Sequence, residues 1–267
     1  MTAQEIISFM LSLRNEEQRA VLMRFFKTAP GQYGYGDQFL GIKVPQTREV
    51  VRHCGDLSLE EVPQLLQSPW HEVRLCGFLI LVARFEALGK KRLVADGEAI
   101  RRRDEIVRLY LVHARQANNW DLVDLSAPRI LGAWLLLPTL LTAADLPLPH
   151  PAGPSADIRR TLFDALAQSD CLWLQRMSIV STWTATRHGQ PAWALHYAEV
   201  HLRHPHDLIH KAVGWMLRDV GERCGLELLR RFLERHAHEM PRTALRYAIE
   251  KLSPEERKMW MNVPRDK

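Results

Sequence analysis

An all-α fold is what the sequence predicts, on three observations. Apolar residues recur at helical spacing along most of the chain, no Asn-Gly or Asp-Gly dipeptide joins two alternating strand-like runs, and several prolines stand where helices would begin. In chain order, Ile6, Phe9, Met10 and Leu13 share one helical face, and Val21, Leu22, Phe25 and Phe26 repeat the pattern. Pro45, Pro69 and Pro191 suit first turns, where a missing N–H costs nothing. Asp207 leads into Leu208, Ile209, Ala212, Val213, Met216 and Leu217, a strongly amphipathic run that Leu226, Leu229, Phe232 and Leu233 continue. Two stretches interrupt the periodicity. Residues 29–41 form a Gly- and Tyr-rich loop, and residues 137–155 carry prolines at 138, 147, 149, 151 and 154. The second stretch cannot stay helical beyond Asp145 and reads as a long loop or insertion.

The 267 residues suffice for one sizeable core, and a single domain spanning 1–267 is expected, with 46% hydrophobic and 25% charged residues. A net charge of +5 permits a polyanionic partner without requiring one. No apolar run is long enough to cross a membrane, and Met1–Met10 lacks the charged and apolar halves of a signal peptide. Cys54, Cys76, Cys171 and Cys224 never form CxxC, so neither a disulfide framework nor a cysteine zinc site is expected, which suits a reducing, cytoplasmic compartment. No glycine pattern matches a phosphate-binding loop. Trp is the unusual number, with 8 against 5 Tyr.

Four segments share a shape: Pro69-Trp-His-Glu-Val-Arg74, Asn119-Trp-Asp-Leu-Val-Asp124, Leu172-Trp-Leu-Gln-Arg176 and Asp207-Leu-Ile-His-Lys211. Their last residues lie 50, 52 and 35 positions apart, the spacing of two-helix HEAT-type repeats with insertions. Equivalent positions in such a solenoid line one face. Arg74, Arg176 and Lys211 are basic there, and Asp124 is the exception. Trp120 and Asp124 stand four apart, as do Lys211 and Trp215, with Arg218 three further on. These residues fit a ligand groove of indoles, cations and one carboxylate, and equally fit core tryptophans beside solvated charges. Trp70, Trp134, Trp173, Trp183, Trp193 and Trp260 read as wholly or partly core, and Gly214 ahead of Trp215 suits close helix packing as well as a groove.

The segments Asn118-Asn-Trp-Asp-Leu-Val-Asp124, Leu172-Trp-Leu-Gln-Arg-Met-Ser-Ile-Val180 and Lys211-Ala-Val-Gly-Trp-Met-Leu-Arg218 resemble signature segments of the AlkD-like DNA alkylation repair family. Phe39-Leu-Gly-Ile-Lys-Val-Pro-Gln-Thr-Arg48 and Met240-Pro-Arg-Thr-Ala-Leu-Arg-Tyr-Ala-Ile-Glu250 resemble further segments, and the matches run in family order over about residues 25–251. The resemblance implies a curved α-α solenoid of HEAT-like repeats holding duplex DNA. It also implies a monofunctional glycosylase that removes cationic N3- and N7-alkylpurines without a cofactor or metal. Carried over by position, Trp120 and Asp124 become catalytic, Trp215 the second sugar-contacting indole, Arg176 a groove cation and Arg218 a phosphate contact. Arg74, Lys211, Lys43, Arg48, Arg242 and Arg246 are further expected DNA contacts. An N-terminal aromatic of some relatives has four nearby candidates, Phe25, Phe26, Tyr33 and Tyr35. The partner expected is duplex DNA containing alkylated purines, bound by a monomer, nucleoid-associated if bacterial.

The residue chemistry agrees. An N-alkylated purine is already cationic and leaves without a general acid, whereas the sugar develops oxocarbenium charge. A carboxylate stabilises that charge and orients water, and indole faces add their quadrupoles. Other candidates are weaker. His201, His204, His206 and His210 cross Pro205 and read as a solvated turn rather than a metal site. Lys90-Lys-Arg92 and Arg101-Arg-Arg-Asp104 read as solvated faces that could add phosphate contacts. A non-catalytic module for damaged or branched DNA, and a protein scaffold, are the competing readings. A carboxylate among phosphate-binding cations argues against the first, and basic repeat positions argue against the second.

Overall fold

The computed structural model describes residues 1–54, 57–148 and 157–265. Their regular elements are helices, and the one extended pairing among them is an isolated bridge between Gln38 and Trp70. The chain divides into two compact units, residues 1–126 with 138–140, and residues 127–137 with 141–267.

The first unit holds α1 (Ala3–Ser12), α2 (Glu16–Phe25), α3 (Val44–His53), α4 (Val62–Leu66), α5 (His71–Leu88), α6 (Gly97–Val112) and nearly all of α7 (Trp120–Ala127). Local chemistry sets the starts. Thr2 and Glu5 form a reciprocal capping box on α1, Asn15 caps α2 through the Gln18 N–H, and Asp96 caps α6 through the Ala99 N–H. Lys27 takes the left-handed conformation (φ 57°) that ends α2 just after Phe25 and Phe26. Helix α5 is buried on nearly every side, from His71 to Phe85, and packs on α3, α4 and α6. It is the axis of this unit.

The second unit holds α8 (Ile158–Ala167), α9 (Leu172–Val180), α10 (Thr182–Arg187), α11 (Ala192–Val200), α12 (Asp207–Cys224), α13 (Leu226–His236), α14 (Arg242–Ala248) and α15 (Pro254–Met261). Here α12 is the axis, packing on α9, α10, α11, α13 and α14. A π-helical turn, Pro128–Gly132, follows α7 directly. Proline lacks the N–H that would continue the α ladder, and the register widens there.

Each of the four recurring segments opens a helix: α5, α7, α9 and α12. Pro45 lies in the first turn of α3, and Pro191 caps α11. Of the Pro-rich stretch, residues 149–155 lie outside the described residues, and 137–148 contains one short 3-10 turn, Ala143–Asp145. Two sequence readings need correction. Arg101 and Arg102 are exposed and pair with Glu98, but Arg103 is 1% exposed and donates to the carbonyls of Leu88 and Val94. Asp104 is also buried, accepting from Thr139 and the Leu140 N–H. The basic run is therefore solvated on one side only. The histidine corner is not a solvated turn either. His201 is 3% exposed against Ser178, while His204 and His206 each accept a backbone N–H at the start of α12.

Gly214, just ahead of Trp215, serves close helix packing. A Cβ there would overlap the Ala244 carbonyl oxygen and the Tyr247 Cβ, so glycine allows α12 and α14 to meet. Gly214→Ala is expected to destabilise the protein by about 1–3 kcal/mol through overpacking. An unchanged thermal melt would contradict this reading of the contact.

Candidate active site

Helix α7 begins where Asn119, fully buried, turns its Oδ1 onto the Trp120 N–H at 2.9 Å. Trp120 and Asp124 then fall on one face and line the same cavity of the first unit, about 430 Å³. The end of α2 supplies its aromatic wall. Phe26 stacks on Trp120 at 5.3 Å between centroids, and Phe25, 58% exposed, meets Trp120 edge-on at 5.8 Å. Phe39, Ile42, Val44 and Leu75 extend the apolar lining, which Lys43, His71, Glu72 and Asp121 also join. Among the four N-terminal aromatics considered, Phe25 and Phe26 thus stand beside Trp120.

Beneath this wall lies a buried ionic cluster that the sequence reading missed. His71, 1% exposed, places Nδ1 2.7 Å from Asp37 and Nε2 2.9 Å from Asp121. Burial alone would lower its pKa, but the Asp121 and Asp37 carboxylates outweigh burial and raise it to about 9. Burial likewise opposes ionisation of Asp37, yet His71 and Arg74 hold its pKa below the usual value. The neighbouring Glu72, 2% exposed, accepts the backbone N–H groups of Leu40, Gly41 and Ile42. Gly41 is obligatory there, with φ +87° and no room for a Cβ beside the Asn15 carbonyl oxygen. One signal was available: His71 and Asp121 occupy equivalent places in the first two recurring segments, 50 residues apart like Arg74 and Asp124.

The expectation that Arg74 contacts DNA is corrected by its surroundings. Arg74 is 5% exposed, and all three guanidinium nitrogens are committed. Nε donates to the Gln116 carbonyl at 3.2 Å, Nη1 to the Ser68 and Pro69 carbonyls, and Nη2 to Asp37 at 2.6 Å and Asn118 at 2.9 Å. It ties the residues just ahead of α7 to the start of α5. Lys43 and Arg48, by contrast, are exposed at the start and on the surface of α3.

In the second unit, α12 presents Lys211, half-buried Trp215 and Arg218 on successive turns. Lys211 pairs with Asp207 at 2.9 Å, and Arg218 pairs with Glu250. Lys211 and Arg246 share an open polar cavity of about 740 Å³ with Asp207, Thr243, Tyr247 and Glu250. Arg176 is 5% exposed and gives one N–H to the Leu208 carbonyl at 2.5 Å, while Arg242 gives one to the Met261 carbonyl. Trp134, Trp173 and Trp260 are core residues, whereas Trp70, Trp183 and Trp193 are only partly covered.

The family of DNA alkylation repair enzymes matches this chain over residues 6–252. The chain belongs to that family. Membership gives this DNA alkylation repair protein a role in DNA repair, with DNA as the partner class. A solved structure described as a predicted DNA alkylation repair enzyme from Enterococcus faecalis shares the fold, with a TM-score of 0.61 and 16% identity. The similarity covers 90% of this chain and 97% of that one. No curated protein matches the chain. Among the described residues, no helix of the repair protein is long and apolar enough to cross a membrane.

Proposed function

We propose that the protein is a monofunctional DNA glycosylase that hydrolyses the N-glycosidic bond of cationic N3- and N7-alkylpurines in duplex DNA. The observation that carries this reading is the placement of Asp124 and Trp120 in one aromatic cavity. The substrate base carries its own positive charge, so departure needs no proton donor. As the bond to C1′ lengthens, positive charge moves onto the sugar. The Asp124 carboxylate stabilises that charge and orients the attacking water, and the low-polarity walls around it strengthen the attraction. Trp120 offers an electron-rich face to the same charge.

The proposed phosphate contacts are Lys43, Arg48, Lys211, Arg218, Arg242 and Arg246. The pairs Lys211–Asp207 and Arg218–Glu250 do not preclude this. Exposed ion pairs contribute about 0–1 kcal/mol and exchange readily for phosphate. Arg176, mostly buried, adds positive charge rather than a phosphate hydrogen bond. The proposed active species is a monomer.

Binding to duplex should weaken steeply with salt, and Lys43→Gln should reduce the slope of log affinity against log salt by about one. A salt-independent interaction would point instead to a protein partner. The function itself is tested by incubating the protein with methylated duplex and measuring free 7-methylguanine and 3-methyladenine. Tight binding without release would favour the non-catalytic reading.

A further inference from the structure

We propose that His71 is a positioning residue for this reaction. Held between Asp37 and Asp121 and flanked by two phenyl rings, it fixes the first turn of α7 and with it Trp120 and Asp124. The inference rests on the glycosylase reading above, and three observations carry it.

The first is hydrogen-bond stoichiometry. Both ring nitrogens face carboxylate oxygens, at 2.7 and 2.9 Å. An ionised carboxylate only accepts, so two such bonds require both nitrogens to be protonated. With both carboxylates ionised the ring is an imidazolium, and losing one proton breaks one of the two bonds. The second is steric. Phe39 stacks on the ring at 4.3 Å and Phe26 lies against it at 5.1 Å, so the ring plane is fixed. Phe26 is also the ring that stacks on Trp120. The third is connectivity. Asp121 sits between Trp120 and Asp124 in sequence, and its hydrogen bond to His71 anchors α7 to α5.

The charged groups around His71 are Asp37 from the loop, Glu72 and Arg74 from α5, Asp121 and Asp124 from α7, and Lys43 ahead of α3. Asp37 and Asp121 touch the ring, Arg74 shares Asp37, and Glu72 is occupied by three backbone N–H groups. Asp121 Oδ1 is buried with no hydrogen-bond partner among the described residues, and His71 pairs with the other oxygen of this carboxylate.

Two measurements on the full-length protein test the proposal. One is the pH profile of single-turnover base release. The other is a ¹⁵N–¹H NMR titration of the His71 ring and the Trp120 indole N–H. Wild type should lose release as pH rises through about 9, the value to which His71 is raised, and the Trp120 resonance should move at the same midpoint. Asp121→Asn keeps an acceptor for Nε2 but removes one stabilising charge, and should lower both midpoints by about one pH unit. His71→Gln should slow release about tenfold to a hundredfold with little change in duplex affinity. Because that variant could fail to fold, Asp121→Asn carries the test. If wild type is active and Asp121→Asn leaves the alkaline limb in place, the positioning role is overturned. If wild type releases no base, the glycosylase reading fails, and the NMR titration decides alone. A Trp120 resonance that follows the His71 midpoint then supports the positioning, and one that ignores it overturns the proposal.

Discussion

Asp124→Asn is expected to lower base release by about two to three decades while leaving duplex affinity within a few-fold of wild type. The substitution removes a negative charge and almost no volume from a cavity whose other walls are largely apolar. Removing one pre-positioned group that stabilises transition-state charge costs about 3–4 kcal/mol in other enzymes. Ground-state DNA binding should hardly change, since the proposed phosphate contacts are cations elsewhere, and a carboxylate near phosphates opposes binding if anything. The comparison needs rate and affinity from the same preparations. A variant that releases base at the wild-type rate would remove Asp124 from the chemistry. A variant that loses binding and rate together would assign it a structural role.

The largest expected effect on stability belongs to Glu72→Ala. Its two oxygens accept three backbone N–H groups, from Leu40 at 2.8 Å, Gly41 at 2.9 Å and Ile42 at 3.1 Å, at a site 2% exposed. Truncation leaves those donors buried without partners and opens a void beneath the aromatic cavity. Each unsatisfied donor costs about 1–3 kcal/mol, so a loss of at least about 3 kcal/mol is expected, large against the stability of a typical domain. Glu72→Gln keeps one good acceptor but turns an amide toward one of the three donors, and should lose roughly half as much. Denaturant or thermal melts of both variants check the order. An Ala variant that melts with wild type would mean that these backbone groups find other partners.

The helical architecture was legible because periodicity and capping are local. Thr2 with Glu5, Asn15 and Asp96 announce helix starts within a few residues of themselves. Trp120 and Asp124 were legible for the same reason, since residues four apart share a helical face whatever the rest of the chain does. The buried cluster was not. Asp37 lies in a Gly- and Tyr-rich loop whose path depends on the Gln38–Trp70 bridge and the Glu72 carboxylate, and neither has a local signature. Arg74 and Arg103 failed in the same way. A cation early on a helix or in a basic run is ordinarily solvated, and only the returning carbonyls and Asp37 reveal that these two are spent inside the fold. The recurrence of the first two segments, 50 residues apart, held the missed information. Placing His71 opposite Asp121 in that register brings together the two residues that touch.

The proposed activity is hydrolysis of the glycosidic bond rather than DNA binding alone. Its most direct test is product analysis after excess wild-type protein meets duplex DNA carrying a single 7-methylguanine. The expected products are free 7-methylguanine and an intact strand with an abasic site, formed in a single exponential phase. Duplex held by the protein with its methylated base still attached would contradict the proposed activity.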